Sequence, residues 1–175
     1  MTILLFCAIA PLMAKTTFTA GVGAGTSLYL GIGRYGDSIP IRSSIRIDAR
    51  FDFGLNWKDR LSASIEIPIA YVSPSPVYDG TIRRQFLSFG CGLRFLYRCG
   101  KRIGIVASSS IQYNQYFVDQ AFLSFEVSAG PTFLLAQSER WRLSIDTPVQ
   151  VQCRKEIIGL GIGFILRGVY EGADL

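Results

Sequence analysis

Residues 41–57 alternate between apolar and polar side chains, and this alternation constrains the fold more than any other feature of the chain. The odd positions are apolar apart from Ser43, whereas the even positions carry Arg, Ser, Asp, Asn or Gly. Residues two apart share one face of a β-strand, whereas a helix would scatter both sets around its circumference. The segment is therefore predicted to be a strand with one apolar face and one polar face.

The same period of two recurs along the chain. A short polar turn at 58–60 separates the first segment from a second alternating segment at 61–71, which predicts a hairpin. Pro68 and Pro148 fall on the polar face, and because proline cannot donate to a ladder we expect bulges or strand openings there. Further strands are predicted near 18–32, 87–98, 103–113, 121–135, 141–152 and 157–168.

Glycines mark the two ends of this series of strands. They fall on one face of the first and last strands, where they let a sheet bend tightly and let backbones approach closely. We therefore expect the strands to close into a barrel. The glycines are Gly21, Gly23, Gly25, Gly159, Gly161 and Gly163.

Composition favours a membrane barrel. Hydrophobic residues make up 49% of the chain and charged residues only 18%, against about 25% charged in soluble domains. No apolar run approaches the roughly 20 residues that a transmembrane helix needs. The connections also alternate between short turns near 58–60, 99–102 and 136–140 and longer loops near 33–40, 72–82 and 114–120. Outer-membrane barrels have short periplasmic turns and longer extracellular loops.

The N-terminus resembles a secretory signal. Residues 3–13 are apolar and small residues lie near Ala14, so 1–14 is predicted to be a signal peptide and 15–175 a single barrel domain. No Lys or Arg precedes the apolar run, and we therefore expect the true start to lie upstream of Met1.

Aromatic residues indicate which face meets lipid. On the apolar face they lie at both ends of the strands, as the two interfaces of a bilayer select. The polar face is rich in Ser, Gly, Gln, Asp and Arg but poor in the Lys and Glu that cover soluble proteins, which disfavours the alternative of a soluble lipocalin-like barrel. The predicted girdle consists of Trp57, Tyr97, Phe133 and Trp141 beside the short turns and Tyr71 and Tyr113 beside the long loops.

These features together resemble the small eight-stranded bacterial outer-membrane proteins, such as the OmpW and OmpX types and the membrane domain of OmpA. The resemblance implies an all-β, antiparallel up-and-down transmembrane β-barrel of about eight strands in the bacterial outer membrane. It also implies membrane lipid and the outer-membrane assembly machinery as partners. The chain departs from this family at its end, where Tyr170 is followed by five further residues although such barrels usually end on an aromatic.

Several kinds of chemistry are disfavoured by the sequence. The chain has no histidine, the usual general base and the commonest metal ligand, so we expect no enzyme, no catalytic site and no metal site. A G-x-G-x-x-G match at 31–36 is followed by a strand rather than a helix, which excludes a nucleotide site, and no other cofactor is expected. The basic residues are spread along the chain and form no cluster interleaved with stacking aromatics, so we expect no nucleic-acid partner. Cys91, Cys99 and Cys153 are predicted to be free.

Eleven charged residues fall on the polar face and are predicted to line the lumen. Because buried charges must be paired or hydrated, they either form a salt-bridge network that plugs the barrel or line a thin polar conduit. The small diameter of an eight-stranded barrel favours the plug. The residues are Arg42, Arg46, Asp48, Arg50, Asp52, Glu66, Arg94, Glu126, Arg142, Asp146 and Arg167.

Two functions therefore remain open from the sequence. The first is a narrow passive channel for small or apolar solutes, by analogy with OmpW-type barrels. The second is a surface-exposed barrel that does not transport and instead stabilises the envelope or, like an adhesin, contacts host surface molecules. The first rests on fold-level analogy, whereas the second rests on the Tyr, Asp and Asn residues of the predicted external loops.

Overall fold

The computed structural model of the protein describes residues 16–33, 41–57, 60–74, 85–117, 121–154 and 157–174. The predicted signal peptide and most of the predicted long loops lie outside these residues. In the described part of the chain no helix is long and apolar enough to cross a membrane. The strands are β1 (Thr16–Gly33), β2 (Ile41–Trp57), β3 (Leu61–Pro74), β4 (Phe86–Arg98), β5 (Ile103–Tyr116), β6 (Ala121–Gln137), β7 (Trp141–Asp146), β8 (Val149–Arg154) and β9 (Ile157–Asp174).

The strands form a closed antiparallel ring. From β1 to β7 each strand pairs with the next along the chain, and β9 pairs with both β7 and β1. Segments β7 and β8 both lie between β6 and β9, so the two together occupy the place of a single strand. The predicted up-and-down barrel of about eight strands is therefore confirmed.

The seventh strand is interrupted at Thr147 and Pro148. The prediction of one continuous strand over 141–152 is wrong at this point, although an opening was expected at the proline. Pro148 has no N–H to donate, but the Thr147 N–H donates to the Pro131 carbonyl at 2.9 Å and the Gly163 N–H to the Pro148 carbonyl at 2.9 Å. The wall therefore remains hydrogen-bonded across the interruption.

Pro68 produces a milder effect on the wall. The ladder between β3 and β4 passes from the pair Glu66–Gly92 to the pair Ile69–Phe89 without pairing the residues between them. The register is the same on both sides of this gap, so the strand opens locally without a bulge. A register shift occurs instead in β6, between Leu134 and Ala136, where it faces β7.

The two faces of the wall have opposite chemistry. On the outside, Ile111 and Leu123 are 63% and 65% exposed, whereas on the inside Gln112 is fully buried. An apolar exterior around a polar interior is the reverse of a soluble barrel, because so much apolar surface in water is unfavourable. The exterior is therefore matched to lipid, which excludes the soluble alternative.

Glycines allow β1 and β9 to approach each other. A Cβ atom on Gly25 would lie 2.2 Å from the Phe164 carbonyl oxygen, and one on Gly161 would lie 2.8 Å from the Tyr29 ring. Any larger side chain at these two positions would collide with the opposing strand. The seam that closes the barrel therefore depends on the glycines that the sequence places there.

Candidate functional site: the barrel interior

Nine charged side chains form one connected set of ion pairs across the middle of the barrel. We call this set the central network, and it contains four arginines and five carboxylates, each at most 4% exposed. They come from β2, β3, β4, β6, β7 and β9, so the network ties together strands that are not neighbours in the wall. Its members are Arg46, Asp48, Arg50, Asp52, Glu66, Arg94, Glu126, Asp146 and Arg167.

Arg167 is the most connected member on the side of the short turns. Its guanidinium pairs with Asp52, lies 2.7 Å from Glu66 Oε1 and lies 3.1 Å from Asp146 Oδ2. Arg94 reaches the same Asp146 oxygen at 3.1 Å. Three carboxylates from β2, β3 and β7 are thus joined by one side chain of β9.

Arg46 and Arg50 form the other half of the network. Arg46 Nε lies 2.7 Å from Asp48 Oδ1, and its Nη1 pairs with Glu126 on the far side of the lumen at 2.5 Å. Arg50 contacts Asp48 and Glu66 at 3.3 Å, which links this half to the contacts of Arg167. Because charges buried without partners cost several kcal/mol each, we expect these pairs to be held together firmly.

A layer of neutral polar groups lies above the central network, toward the long loops. The Gln112 amide oxygen accepts hydrogen bonds from Ser88 Oγ at 3.0 Å and from Arg46 Nη1 at 3.3 Å. Tyr29 donates its hydroxyl to Glu126 Oε2 at 2.9 Å. Asn114 donates to Ser124 Oγ at 2.8 Å. These hydrogen-bonded side chains lie in the lumen on the long-loop side of the central network.

Aromatic side chains lie beyond this polar layer. The rings of Phe86, Tyr116 and Phe122 contact one another with centroids 5.2–5.5 Å apart. The guanidinium of Arg154 lies over the Phe122 ring at 4.9 Å. In the described part of the chain, polar and then aromatic side chains thus occupy the interior between the central network and the long-loop end.

The other end of the interior is hollow. A second cluster joins Arg98 and Arg142 to Glu171 at 3.3 Å and 2.8 Å, and Asn56 donates to the same carboxylate at 3.4 Å. Around it lies a cavity of about 550 Å³ at the short-turn end, which we call the vestibule. Asp52 and Arg94 of the central network line its inner end.

The structure brings together most of the charged residues that the sequence assigned to the lumen. Nine of the eleven form the central network, while Arg142 belongs to the second cluster. Arg42 lies in β2 opposite Gly31, but its side chain is outside the described residues.

Sequence reasoning missed the neutral amides and two members of the second cluster, Arg98 and Glu171. Gln112, Asn114 and Gln150 are fully buried, and the same alternation that located the charges could have found them. Glu171 lies beyond the predicted end of the last strand, so parity was not extended to it.

The acidic side chains of the described interior are not arranged to hold a metal ion. Among the described residues no three His, Cys, Asp or Glu side chains are grouped to hold a metal ion. The carboxylates of the central network bind guanidinium groups instead.

Comparisons with known structures agree with this architecture. Comparison with family models and with curated proteins gives no match. Neisserial surface protein A is 10% identical, with a TM-score of 0.54, and the match covers 86% of this chain and 95% of that one. The attachment invasion locus protein Ail of Yersinia pestis, solved with the heparin analogue sucrose octasulfate, is 8% identical with a TM-score of 0.51, covering 89% and 99%.

The chain has the fold of a small outer-membrane β-barrel. Its apolar exterior fits the bacterial outer membrane, whose lipid is the partner of that surface.

Aromatic side chains lie at both ends of this outer-membrane barrel. Beside the short turns, Trp141 contacts Tyr170 of β9 with ring centroids 5.1 Å apart. Beside the long loops, Tyr71 lies 6.4 Å from Phe117, and Tyr113 donates its hydroxyl to Gln115 at 2.8 Å. Of the six predicted girdle residues, Tyr97, Tyr113, Phe133 and Trp141 are exposed and Trp57 and Tyr71 are half-buried.

Proposed function

We propose that this outer-membrane barrel does not conduct solutes and serves as a membrane-anchored scaffold for its long loops. The observation that carries the proposal is the central network, which crosses the lumen with four guanidinium and five carboxylate groups that are almost wholly buried. In an eight-stranded barrel the interior is just wide enough for side chains to fill it. A solute would have to displace the network in order to pass.

The energetics of buried charge support this choice over the passive channel. Removing one partner of a buried ion pair costs about 3–5 kcal/mol, because the other charge is left without compensation. Here Arg167 has three carboxylate partners, so displacing it would leave several charges unpaired at once. The layer of neutral polar groups and the aromatic cluster of Phe86, Tyr116 and Phe122 add a further obstruction toward the long loops.

The proposal also covers enzymatic activity and binding partners. We infer that the barrel is not an enzyme, since the chain lacks histidine, the commonest general base. The outer-membrane assembly machinery is the partner that would insert it. The segments between β1 and β2 and between β3 and β4, which the sequence predicts to be long loops, would contact host or envelope molecules, since they carry tyrosine and aspartate residues. Contact with host molecules would be a more specific form of the scaffold function than contact with the envelope.

Single-channel recording tests the proposal. We expect the refolded protein in planar bilayers to give no conductance steps, because the central network closes the lumen. The double variant Arg46→Ala with Glu126→Ala removes one cation and one anion together with their volume, and leaves Asp48 and Arg50 to pair with each other. We expect this variant to conduct ions in small steps.

A matched control separates leakage from damage to the wall. Leu93→Ala removes volume on the lipid face, where Leu93 is 50% exposed, and should produce no conductance steps. A heat-dependent shift in gel migration verifies that each protein is folded. Regular conductance steps from the folded wild-type protein would overturn the scaffold proposal in favour of the channel.

A further inference from the structure

The vestibule has an unusual balance of charge. Six basic residues and two acidic residues line it, and two of these eight, Arg94 and Asp52, also belong to the central network, which holds four basic and five acidic groups. Both acidic groups are already paired, Glu171 with Arg98 and Arg142 and Asp52 with Arg167. The lining residues of basic character are Arg60, Arg94, Arg98, Lys101, Arg102 and Arg142.

Three of these cations have no acidic partner in the described part of the chain. Arg60 lies at the turn between β2 and β3, and Lys101 and Arg102 lie at the turn between β4 and β5, all of them exposed at the mouth. Like charges lining one cavity with low-dielectric walls raise the local concentration of anions. The mouth is therefore positively charged, because Glu171 of the second cluster pairs with Arg98 and Arg142 and leaves these three cations uncompensated.

Polar side chains also line the inner end of the vestibule. Arg94 lies there, 4% exposed, and its Nη2 pairs with Asp146. Ser62 and Ser64 line the same cavity, and the Ser62 hydroxyl donates to Asn56 Oδ1 at 3.4 Å. The cavity is therefore polar at its inner end and basic at its mouth.

We propose that the vestibule binds a phosphate group. A tetrahedral phosphate accepts hydrogen bonds in several directions at once, which matches cations that come from two turns at the mouth and from Arg98 and Arg142 on β4 and β7. Arginine side chains recognise phosphate with charge-assisted hydrogen bonds. A volume of about 550 Å³ falls within the roughly 300–1,000 Å³ usual for small-molecule sites. In a barrel whose short turns face the periplasm, the phosphate comes from a small periplasmic ester or from an inner-leaflet lipid headgroup.

Calorimetric titration with pyrophosphate tests the site directly. We expect the refolded protein, in a zwitterionic detergent, to bind pyrophosphate with an affinity that falls as salt rises, because exposed charges are screened. The variant Arg102→Gln should weaken binding about fivefold, as expected from losing one exposed ion pair. Arg102 is exposed, so this substitution leaves the packed interior intact.

Arg140→Gln is the matched control. It removes one exposed arginine from another short turn at the same end of the barrel, but Arg140 does not line the vestibule. Unchanged affinity in this variant supports a specific site. Equal weakening by both variants, or the absence of pyrophosphate binding by the folded wild-type protein, would overturn the proposal.

Cys99 provides a second measurement, because it is exposed and lines the vestibule. With Cys91→Ser and Cys153→Ser, each methanethiosulfonate rate at Cys99 is divided by that reagent's rate with a free thiol in solution. The ratio should be higher for a negatively charged reagent than for a positively charged one, and pyrophosphate should slow the reaction. Equal ratios would contradict the electrostatic basis of the site.

Added lipids distinguish the two sources of phosphate. If phosphatidylglycerol added to the protein weakens pyrophosphate binding more than an equal amount of a fatty acid, which brings negative charge without phosphate, the lipid headgroup occupies the vestibule. If the two additions have the same effect, a free phosphate ester is the ligand. Both results support phosphate binding.

Discussion

Leu93 and Arg94 are neighbours in the chain but lie in opposite environments. Leu93 is 50% exposed on the outer face, whereas Arg94 is 4% exposed and pairs with Asp146 inside the barrel. A bilayer provides no water to solvate a charge, so only an apolar residue is tolerated at Leu93, while the interior accepts charge because partners are present. Residue parity thus decides between lipid and lumen.

Leu93→Arg should destabilise the barrel by about 2–4 kcal/mol, the penalty for arginine near the bilayer midplane on a barrel's lipid face. Leu93→Met, which keeps the site apolar, should cost much less. Urea unfolding of both variants in phospholipid vesicles measures the difference, and equal stabilities would show that Leu93 does not lie at bilayer depth.

Gly92, the next residue inward, is not a neutral site. A Cβ atom there would lie 2.0 Å from the Ser109 carbonyl oxygen, so even alanine requires the backbone to move. Alternation predicts that Gly92 faces inward, but the close approach of β5 depends on register. Sequence parity alone therefore could not establish the cost of filling this position.

The closing seam between β1 and β9 shows what the strands contribute as elements. Sixteen residue pairs join the two strands, with an irregularity between Thr17 and Thr19. On the inner face Gly25 packs directly against Phe164 and Ile165 of the opposite strand. On the outer face Gly168 has ample room, since its nearest neighbour would be 4.0 Å from an added Cβ.

Gly25→Ala should therefore destabilise the barrel by about 1–3 kcal/mol, as expected for overpacking, and slow its closure. Gly168→Ala, on the same seam, should change stability by less than about 0.5 kcal/mol. Urea titration of the heat-resistant band on gels measures both variants. If the two substitutions have the same effect, close approach at Gly25 does not limit the seam.

The bounds of the strands were predictable only where alternation was strong. The structure gives β2 as Ile41–Trp57, the range that alternation indicated. In contrast, β9 continues to Asp174, six residues beyond its predicted end, because Tyr170 and its neighbours pair with β7 and β1. Those residues have a weak pattern of their own, and pairing with other strands decides their structure.

For the whole molecule, the interior depends on closure of the ring. The sequence could indicate which charges face inward, but not that Arg167 meets Asp52 across 115 positions of the chain. That contact requires closure of the ring, because β1 alone lies between β2 and β9 in the wall and pairs with both. The vestibule was likewise unpredicted, since its charged mouth combines turns at Arg60 and at Lys101 that lie far apart in sequence.

Thiol labelling on intact cells tests the orientation of the whole barrel. With Cys91→Ser and Cys153→Ser, native Cys99 at the short-turn end should stay unreactive toward a large impermeant maleimide until the outer membrane is broken. In a variant that also carries Cys99→Ser, Phe117→Cys at the long-loop end should react on intact cells, because Phe117 is 63% exposed. The reverse pattern would show that the short turns face outward.

Pairing of the first strand with the last also limits how the chain can fold. Thr17 contacts Asp174, so the final ladder joins residues separated by almost the whole described chain. Contacts between residues so far apart in sequence form slowly, because the chain loses conformational entropy before the hydrogen bonds of the ladder compensate for the loss. Until then both edge strands and the entire lipid-facing surface are open to aggregation. The last strand must therefore be synthesised before the barrel can close and be protected from aggregation. The longer the chain stays open, the more it needs a chaperone.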